Sequence, residues 1–184
     1  LKIQDVELIL FDAYGTLFEF EGEQFRGAIA QILDDQKIDF NYEEFYKTWV
    51  DKYSESGIWG LSGPKQEDPY PEFALNGSIP KWHSQWEIWR RQFEKTFSQH
   101  RITGDPVSAA NTVRELITQA ELYDDVRETL SLLSKMNINV GILSNADDDF
   151  LHMSLDKAGL LFDVVESSES LHIYKPHRAI FHNI

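Results

Sequence analysis

The stretch ELILFDAYGTLFEF, residues Glu7 to Phe20, decides the fold. A short apolar run leads directly to Asp12, and the small or hydroxyl-bearing residues Gly15 and Thr16 follow it. A carboxylate at the end of a hydrophobic strand costs free energy unless hydrogen bonds or a cation compensate its charge. We therefore expect Asp12 to be either a group that satisfies a turn or a chemical reagent.

Composition limits the classes to which the protein can belong. The 184 residues suffice for one domain with an inserted subdomain. Lys plus Arg number 17 and Asp plus Glu number 31, so the net charge is -14, which repels nucleic acids and anionic membranes. There is no cysteine, and no apolar run reaches the roughly 18 residues of a membrane span. We expect a cytoplasmic protein that binds neither nucleic acid nor membrane.

Short apolar runs and helical periodicity alternate in the first and last parts of the chain. The helical patterns cover residues 126–136 and 149–158, and Gly159 ends the second one. Short, continuous apolar runs are typical of buried parallel strands, and this order of elements predicts a doubly wound parallel α/β sheet. The three predicted strands are Val6 to Phe11, Asn139 to Leu143 and Phe162 to Glu166.

The long middle interval, residues 21–120, has only helical periodicity. We interpret it as an all-helical insertion into an α/β core made of residues 1–20 and 121–184, with a break at the Gly- and Pro-containing segment 57–80. A fourth helix is predicted at 108–120, and the tryptophan stripe is expected to be core rather than a ligand platform. The other three stripes are Phe25, Ile29, Ile32 and Leu33; Phe45, Trp49 and Tyr53; and Trp82, Trp86, Trp89, Phe93 and Phe97.

Polar side chains follow each of the three predicted strands. Asp12 follows the first, Ser144 and Asn145 follow the second, and Lys175 lies shortly after the third. Ligands of parallel α/β sheets bind beyond the carboxyl ends of the strands, where loops meet. The predicted topology therefore brings these groups to one edge of the sheet.

Three motifs in this order carry a family resemblance: FDAYGTLF, ILSNA and YKP. Together they resemble the first three motifs of the haloacid dehalogenase superfamily, and the insertion resembles the C1-type helical cap of that superfamily. The resemblance covers nearly the whole chain. It implies a Rossmann-like, doubly wound core with an inserted helical cap.

The resemblance also implies roles for the motif residues. Asp12 would be a nucleophile that forms a covalent aspartyl intermediate, which water then hydrolyses. Thr16, Ser144 and Asn145 would orient the substrate or the developing charge, and Lys175 would neutralise the paired anions. Structural alternatives stay open, because Asp12 and Thr16 can satisfy a turn, Ser144 and Asn145 can cap a helix, and Lys175 can be a solvated lysine. We interpret the run Asp147 to Asp149 as a helix-start charge cluster rather than metal ligands, and the six histidines show no metal-binding spacing.

The residue two positions after Asp12 helps to distinguish the phosphatases of the superfamily from its dehalogenases. Its phosphatases usually carry a second aspartate there as a general acid, whereas this chain has Tyr14, whose usual pKa near 10 suits that role poorly. The motifs are most similar to the 2-haloacid dehalogenase branch, in which halide leaves without protonation and no metal is required. We expect a small anionic substrate, with Tyr14 among the groups that bind it.

Two alternatives follow from departures from the family pattern. The first is a Mg²⁺-dependent phosphatase, in which Asp12 and the Tyr14 carbonyl would hold the metal. The second is a non-catalytic binding protein that retains the fold. The dehalogenase branch relies on a cap arginine for the halide, and the candidates here are Arg26, which we expect to be solvated, and Arg90 or Arg91.

The superfamily's fourth motif, an acidic loop after another strand, has no counterpart before the chain stops at Ile184, nine residues after Lys175. We expect the chain to be truncated and the Asp12 strand to have an unpaired edge. A homodimer that exchanges an element between protomers is the alternative.

Overall fold

The computed structural model describes residues 6–53, 75–136 and 138–182. Most of the segment predicted to interrupt the helical insertion, residues 57–74 of 57–80, lies outside the described residues. Among the described residues, no helix has the length and apolar character needed to cross a bilayer.

The core sheet is parallel and has three strands in the order β1 (Leu8–Phe11), β2 (Asn139–Ser144) and β3 (Val164–Ser167). Gly141, at the centre of β2, allows the close packing of its neighbours, because a Cβ there would lie 2.8 Å from Leu10 Cδ2 and 3.0 Å from the Val164 carbonyl oxygen. In the described part of the chain β1 pairs only with β2, so its other edge is unpaired, as expected. The α/β fold with a parallel sheet is confirmed.

All three predicted strands exist, but their limits differ from the predictions. The first begins at Leu8 instead of Val6 because its ladder starts opposite Asn139, where β2 begins. The third begins two residues late, at Val164, because the Asp163 carboxylate accepts the Val140 N–H at 2.9 Å in the place of a ladder partner. The first limit depends on the pairing of the strands and the third on a side-chain hydrogen bond, and hydrophobic periodicity reveals neither.

The described residues between β1 and the second half of the core form four helices with assigned limits: α1 (Gly22–Asp35), α2 (Tyr42–Asp51), α3 (Gln85–His100) and α4 (Pro106–Ile117). The predicted stripes are their buried faces, with Ile29, Phe45 and Phe93 fully buried. Two stripe residues were wrongly included, since Tyr53 lies beyond the end of α2 and Trp82 lies before α3.

The starts of α3 and α4 are set by N-terminal caps. The Ser84 side chain accepts the Glu87 N–H at 3.1 Å, which starts α3 at Gln85. Asp105 caps α4 and Pro106 occupies its first turn, so this helix begins two residues before the predicted Ser108, and it ends at Ile117 rather than Ala120. The four helices α1 to α4 are called the helical insertion below.

The rest of the core consists of α5 (Val126–Lys135), α6 (Asp148–Ala158), a short α7 (Ser168–Leu171) and a 3-10 turn (Arg178–His182). Helix α6 ends at Gly159, which has a φ of 64°, as the sequence predicted for a glycine stop. Asp125 is the residue before α5, but its side chain makes no capping hydrogen bond.

Candidate active site

Asp12 lies at the carboxyl end of β1, directly before a tight turn. The Ala13 carbonyl accepts the N–H groups of Leu17 and Phe18 at 2.8 and 2.9 Å, and Gly15 provides the positive φ of 80° that this reversal requires. The turn folds back over buried Ala13 and leaves the Asp12 side chain 43 % exposed. A carboxylate is thus fixed at the sheet edge and remains open to solvent.

One oxygen of Asp12 receives all of its described contacts. Oδ1 accepts the Ala13 N–H at 2.8 Å and the Ser144 hydroxyl at 2.8 Å, and it lies 2.8 Å from the Lys175 ammonium. Within the described residues, Oδ2 has no such partner. The contacts therefore fix the orientation of the carboxylate while leaving one oxygen for another molecule.

Lys175 is held by main-chain contacts on both sides. Its ammonium donates to the Leu143 carbonyl at 2.7 Å as well as pairing with Asp12. Both amide atoms of Asn145 bind the Lys175 main chain: Nδ2 donates to its carbonyl at 3.0 Å, and Oδ1 accepts its N–H at 2.7 Å. Asn145 thus positions the lysine segment, a contact that its place after β2 did not predict.

Tyr14 and Thr16 lie further from the carboxylate contacts. The Tyr14 hydroxyl lies 2.9 Å from Ser154 Oγ and 3.2 Å from the Phe150 carbonyl, and burial raises the pKa of this phenol above its usual value. Thr16 is exposed, and within the described residues its hydroxyl makes no hydrogen bond. The structure thus brings together Asp12, Ser144, Asn145 and Lys175, whereas the Tyr14 hydroxyl faces α6.

An apolar cavity of about 380 Å³ lies between the helical insertion and this edge of the core. Tyr14 and Asn145 belong to its wall, so it adjoins the segments that carry Asp12 and Lys175. Among the described residues, those that line it include no Asp, Glu, Lys, Arg or His. Most of the described lining residues are aromatic: Tyr14, Phe20, Phe25, Tyr46, Trp49, Tyr53, Trp89 and Phe150.

Two contacts join the site loops to the start of α3. The Asp147 carboxylate accepts the N–H groups of Gln85 at 2.6 Å and Trp86 at 3.0 Å, and the Tyr174 hydroxyl accepts the His83 N–H at 2.6 Å. Burial raises the pKa of Asp147 to about 6, against the lowering effect of these two N–H donors. Sequence reasoning missed Tyr174 and assigned Asp147 only to the start of the helix that follows it.

The aspartate run after β2 is therefore only partly a helix-start cluster. Asp147 precedes α6 but makes no capping bond to that helix, since its carboxylate is used by α3. Asp148 accepts the Ser167 hydroxyl at 2.5 Å, and Asp149 pairs with Arg114 of α4. The only signal in the sequence was the number of carboxylates, which is larger than one helix start needs.

The arginines considered for halide binding are engaged by carboxylates. Arg26 lies 3.2 Å from Glu23 and 3.6 Å from Glu43, with its guanidinium over the Tyr46 ring. Arg90 and Arg91 both pair with Glu87 at 2.7 Å. Within the described residues, no group of three His, Asp or Glu side chains is arranged to hold a metal ion.

Comparison with known proteins identifies a family and similar folds. The family model of haloacid dehalogenase-like hydrolases matches residues 6–184. Similar solved structures include the L-2-haloacid dehalogenase of Xanthobacter autotrophicus, with 22 % identity, a TM-score of 0.65, and coverage of 97 % of this chain and 63 % of that one. A defluorinating L-2-haloacid dehalogenase has 18 % identity and a TM-score of 0.69, covering 97 % and 66 % of the two chains.

A third similar structure is the putative HAD-hydrolase YfnB of Bacillus subtilis bound to magnesium, with 16 % identity, a TM-score of 0.71, and coverage of 97 % and 72 %. At such identities these likenesses establish the fold alone. A search of curated proteins finds no match. The chain spans less than two thirds of the Xanthobacter enzyme's length. With the family model matching from Val6 to the last residue and the three motifs gathered at one sheet edge, the chain belongs to the haloacid dehalogenase-like hydrolases.

Proposed function

We propose that the protein hydrolyses a small 2-haloacid and that Asp12 is its nucleophile. The observation that carries this proposal is the asymmetry of the Asp12 carboxylate. Three contacts hold Oδ1, while Oδ2 lacks a partner among the described residues and the side chain is 43 % exposed. A nucleophile needs this combination of fixed orientation and one accessible oxygen.

The reaction proceeds in two balanced steps. In the first, an Asp12 oxygen attacks C2 of the haloacid, a C–O bond forms, the C–halogen bond breaks, and halide leaves with the bonding electrons. In the second, water adds to the carboxyl carbon of the ester and releases the 2-hydroxyacid. One proton passes to solvent and the Asp12 carboxylate is regenerated. Splitting the displacement in this way needs no general acid for the leaving group.

Lys175 offsets the repulsion between the nucleophile and an anionic substrate. Two unit negative charges about 4 Å apart repel by roughly 4 kcal/mol at an effective dielectric constant near 20. Within the described residues, the ammonium uses two of its three N–H donors on Asp12 and Leu143, so one remains for the substrate carboxylate. Ser144 and Asn145 support this arrangement by orienting Asp12 and the lysine segment, respectively.

The test is halide release from 2-chloropropionate by the full-length protein without added Mg²⁺. We expect turnover in the wild type, none in Asp12→Asn, and full turnover in Asp156→Asn, a control on the exposed face of α6. Mass spectrometry during turnover should detect the mass of the substrate acid, without its halogen, on the peptide that contains Asp12. Halide release that persists in Asp12→Asn would refute the assignment of the nucleophile.

A Mg²⁺-dependent phosphatase is the alternative from the same superfamily. Asp12 and the Tyr14 carbonyl would be its ligands, but the described residues provide no group of three metal-ligating side chains, and the ammonium of Lys175 already lies against Asp12. The donor set therefore fits Mg²⁺ poorly, and we derive no step through it. Turnover of phosphate esters alone, and only with Mg²⁺, would favour this alternative. No adduct with either substrate class would favour a non-catalytic binding protein.

A further inference from the structure

The Tyr174 hydroxyl binds both main-chain groups of a single residue that precedes α3. It accepts the His83 N–H at 2.6 Å and donates its own proton to the His83 carbonyl. A phenol hydroxyl can do both at once, so one side chain satisfies the main chain of a residue 91 positions away. Tyr174 is fully buried, and a buried hydroxyl is costly to leave without partners. The contact therefore joins the residue next to Lys175 specifically to the segment that leads into the helical insertion's α3.

The main chain and the ammonium of Lys175 are bound by the core. Asn145 accepts the Lys175 N–H at 2.7 Å and donates to its carbonyl at 3.0 Å. The ammonium donates to the Leu143 carbonyl at 2.7 Å and lies 2.8 Å from Asp12 Oδ1. A lysine side chain is a flexible four-carbon stem with a charge at its end, so the place of the charge depends on how firmly the main chain is held. Residues 174 and 175 thus form a short link between α3 and the charge beside Asp12.

Side chains up to Lys175 alternate between contacts with the segment before α3 and contacts with the core. The His172 ring lies 4.9 Å from the Trp82 ring, and Tyr174 binds the residue after Trp82. Ile173 instead packs in a buried cluster of the core, and Lys175 reaches Asp12. Because one short segment carries both sets of contacts, a displacement of the chain before α3 also displaces the residue that carries the ammonium.

We infer that Tyr174 is a positioning residue, through whose hydroxyl the helical insertion holds the Lys175 ammonium against Asp12. This inference rests on the proposed function for what the ammonium does, which is to offset the repulsion between Asp12 and an anionic substrate. It adds control of the site by the insertion. When the chain at His83 leaves Tyr174, the main chain of Lys175 loses one of its supports and the ammonium leaves the carboxylate more often.

The first test measures the position of Lys175 without using the reaction. Full-length protein is labelled with a trace of acetic anhydride, and mass spectrometry compares acetylation of Lys175 with that of Lys157, whose side chain is 50 % exposed. Tyr174→Phe removes the hydroxyl and keeps the ring. We expect it to raise the ratio of Lys175 to Lys157 labelling at least about threefold, because an amine released from its partners reacts more often. An unchanged ratio would overturn the inference.

Ile88→Val is the matched control. Ile88 is fully buried and packs against Tyr174, so this variant loosens the same cluster while keeping the hydroxyl and both of its hydrogen bonds. It should keep the wild-type labelling ratio. If it raised the ratio as much as Tyr174→Phe, general loosening would explain the effect and the inference would be wrong.

A measurement on the wild type decides if Tyr174→Phe fails to fold. Hydrogen exchange of the His83 amide and acetylation of Lys175 should rise together as urea is increased below the unfolding transition, because one local opening exposes both groups. Acetylation of Lys175 that stays constant while the His83 amide exchanges faster would contradict the coupling.

The second test is a double-mutant cycle on kcat/KM for 2-chloropropionate. Tyr174→Phe should lower kcat/KM by about tenfold in the wild type but by less than about twofold in Lys175→Met, where no ammonium remains to be positioned. A merely structural role would lower kcat/KM by the same factor in both backgrounds, and that result would overturn the inference.

These outcomes are separable from the proposed function. A wild type that releases no halide would refute dehalogenation, while the labelling ratios would still decide whether Tyr174 positions Lys175. Halide release by the wild type, with labelling and kcat/KM unchanged in Tyr174→Phe, would overturn the inference and leave the proposed function in place.

Discussion

The Asp12 edge and the cavity beneath the helical insertion differ in how completely their polar side chains are hydrogen-bonded. At the edge, Ser144, Asn145 and Lys175 are hydrogen-bonded to one another's segments or to Asp12, although the region is partly exposed. In the cavity wall, the Gln92 side chain keeps a buried oxygen, Oε1, without a described partner. The first arrangement is typical of preorganised chemistry, whereas the second is a buried polar atom that lowers stability.

The two regions are mechanically joined at the start of α3. Asp147, two residues after Asn145, and Tyr174, the residue before Lys175, both bind the main chain between His83 and Trp86. Gln85 therefore takes part in the junction through its N–H and in the cavity through its side chain. We expect substitutions at the Asp12 edge to change activity and substitutions in the helical insertion to change the free energy of unfolding.

The largest expected effect lies in the core of the helical insertion. Phe93 is fully buried against Phe45, Trp49 and Phe97, so Phe93→Ala should lower the free energy of unfolding by about 3–5 kcal/mol. Urea denaturation measures this loss, and Val107→Ala, at an exposed position of α4, is the control. A loss below about 1 kcal/mol would show that this core does not depend on Phe93.

The next largest effect is a loss of activity when Lys175, at the Asp12 edge, is replaced. Lys175→Met should reduce kcat/KM for an anionic haloacid by about 100- to 1,000-fold, because the repulsion between Asp12 and the substrate is no longer offset. Lys157→Met, on the surface of α6, should leave kcat/KM unchanged. A loss of only a few-fold for Lys175→Met would exclude Lys175 from charge neutralisation.

The junction should respond to pH through Asp147. Its pKa of about 6 in the folded state lies above the usual 3.8, so the folded protein binds the proton more tightly and stability rises as pH falls through 6. Between pH 7.5 and 5.5 this group should add about 0.8 kcal/mol, out of roughly 3 kcal/mol for full titration.

Urea denaturation at the two pH values measures this gain. The Asp147→Asn variant should lack it, whereas Asp156→Asn should retain it. The neighbouring carboxylates Glu169 and Asp149 raise the pKa of Asp147, so neither is a suitable control. Equal pH dependence in wild type and Asp147→Asn would contradict the burial of a titrating carboxylate at this junction.

The edge could be predicted from sequence to a much greater extent than the cavity. Asp12, Ser144 and Lys175 follow strands of a parallel sheet, and parallel strands bring their carboxyl ends together whatever the side-chain packing. The contact of Asp147 with Gln85 spans 62 positions and depends on how the helical insertion packs on the core. Likewise, the sequence predicts only a polar residue in a helix at Gln92. That its side-chain oxygen is buried without a described partner depends on how the helices pack. The assignments of Trp82 and Tyr53 to helices failed because the apolar spacing extends beyond the limits of those helices: Trp82 lies before the Ser84 cap that starts α3, and Tyr53 lies after the end of α2.

The smallest expected effect concerns Tyr14 and tests whether its hydroxyl takes part in the reaction. Its ring is in the cavity wall, and its position in the motif is that of the general acid in the phosphatases. Tyr14→Phe removes the hydroxyl but keeps the ring against Phe18 and Phe150. Ser154 still donates to the Phe150 carbonyl at 2.9 Å, so no buried donor loses its last partner, and the free energy of unfolding should change by about 0.5 kcal/mol. Halide release should change by less than about threefold, because halide leaves without a proton and the raised pKa of this phenol makes it a poor acid. If halide release fell 100-fold or more, the Tyr14 hydroxyl would instead act on the bond that breaks, and Tyr14 would take part in the reaction together with Asp12.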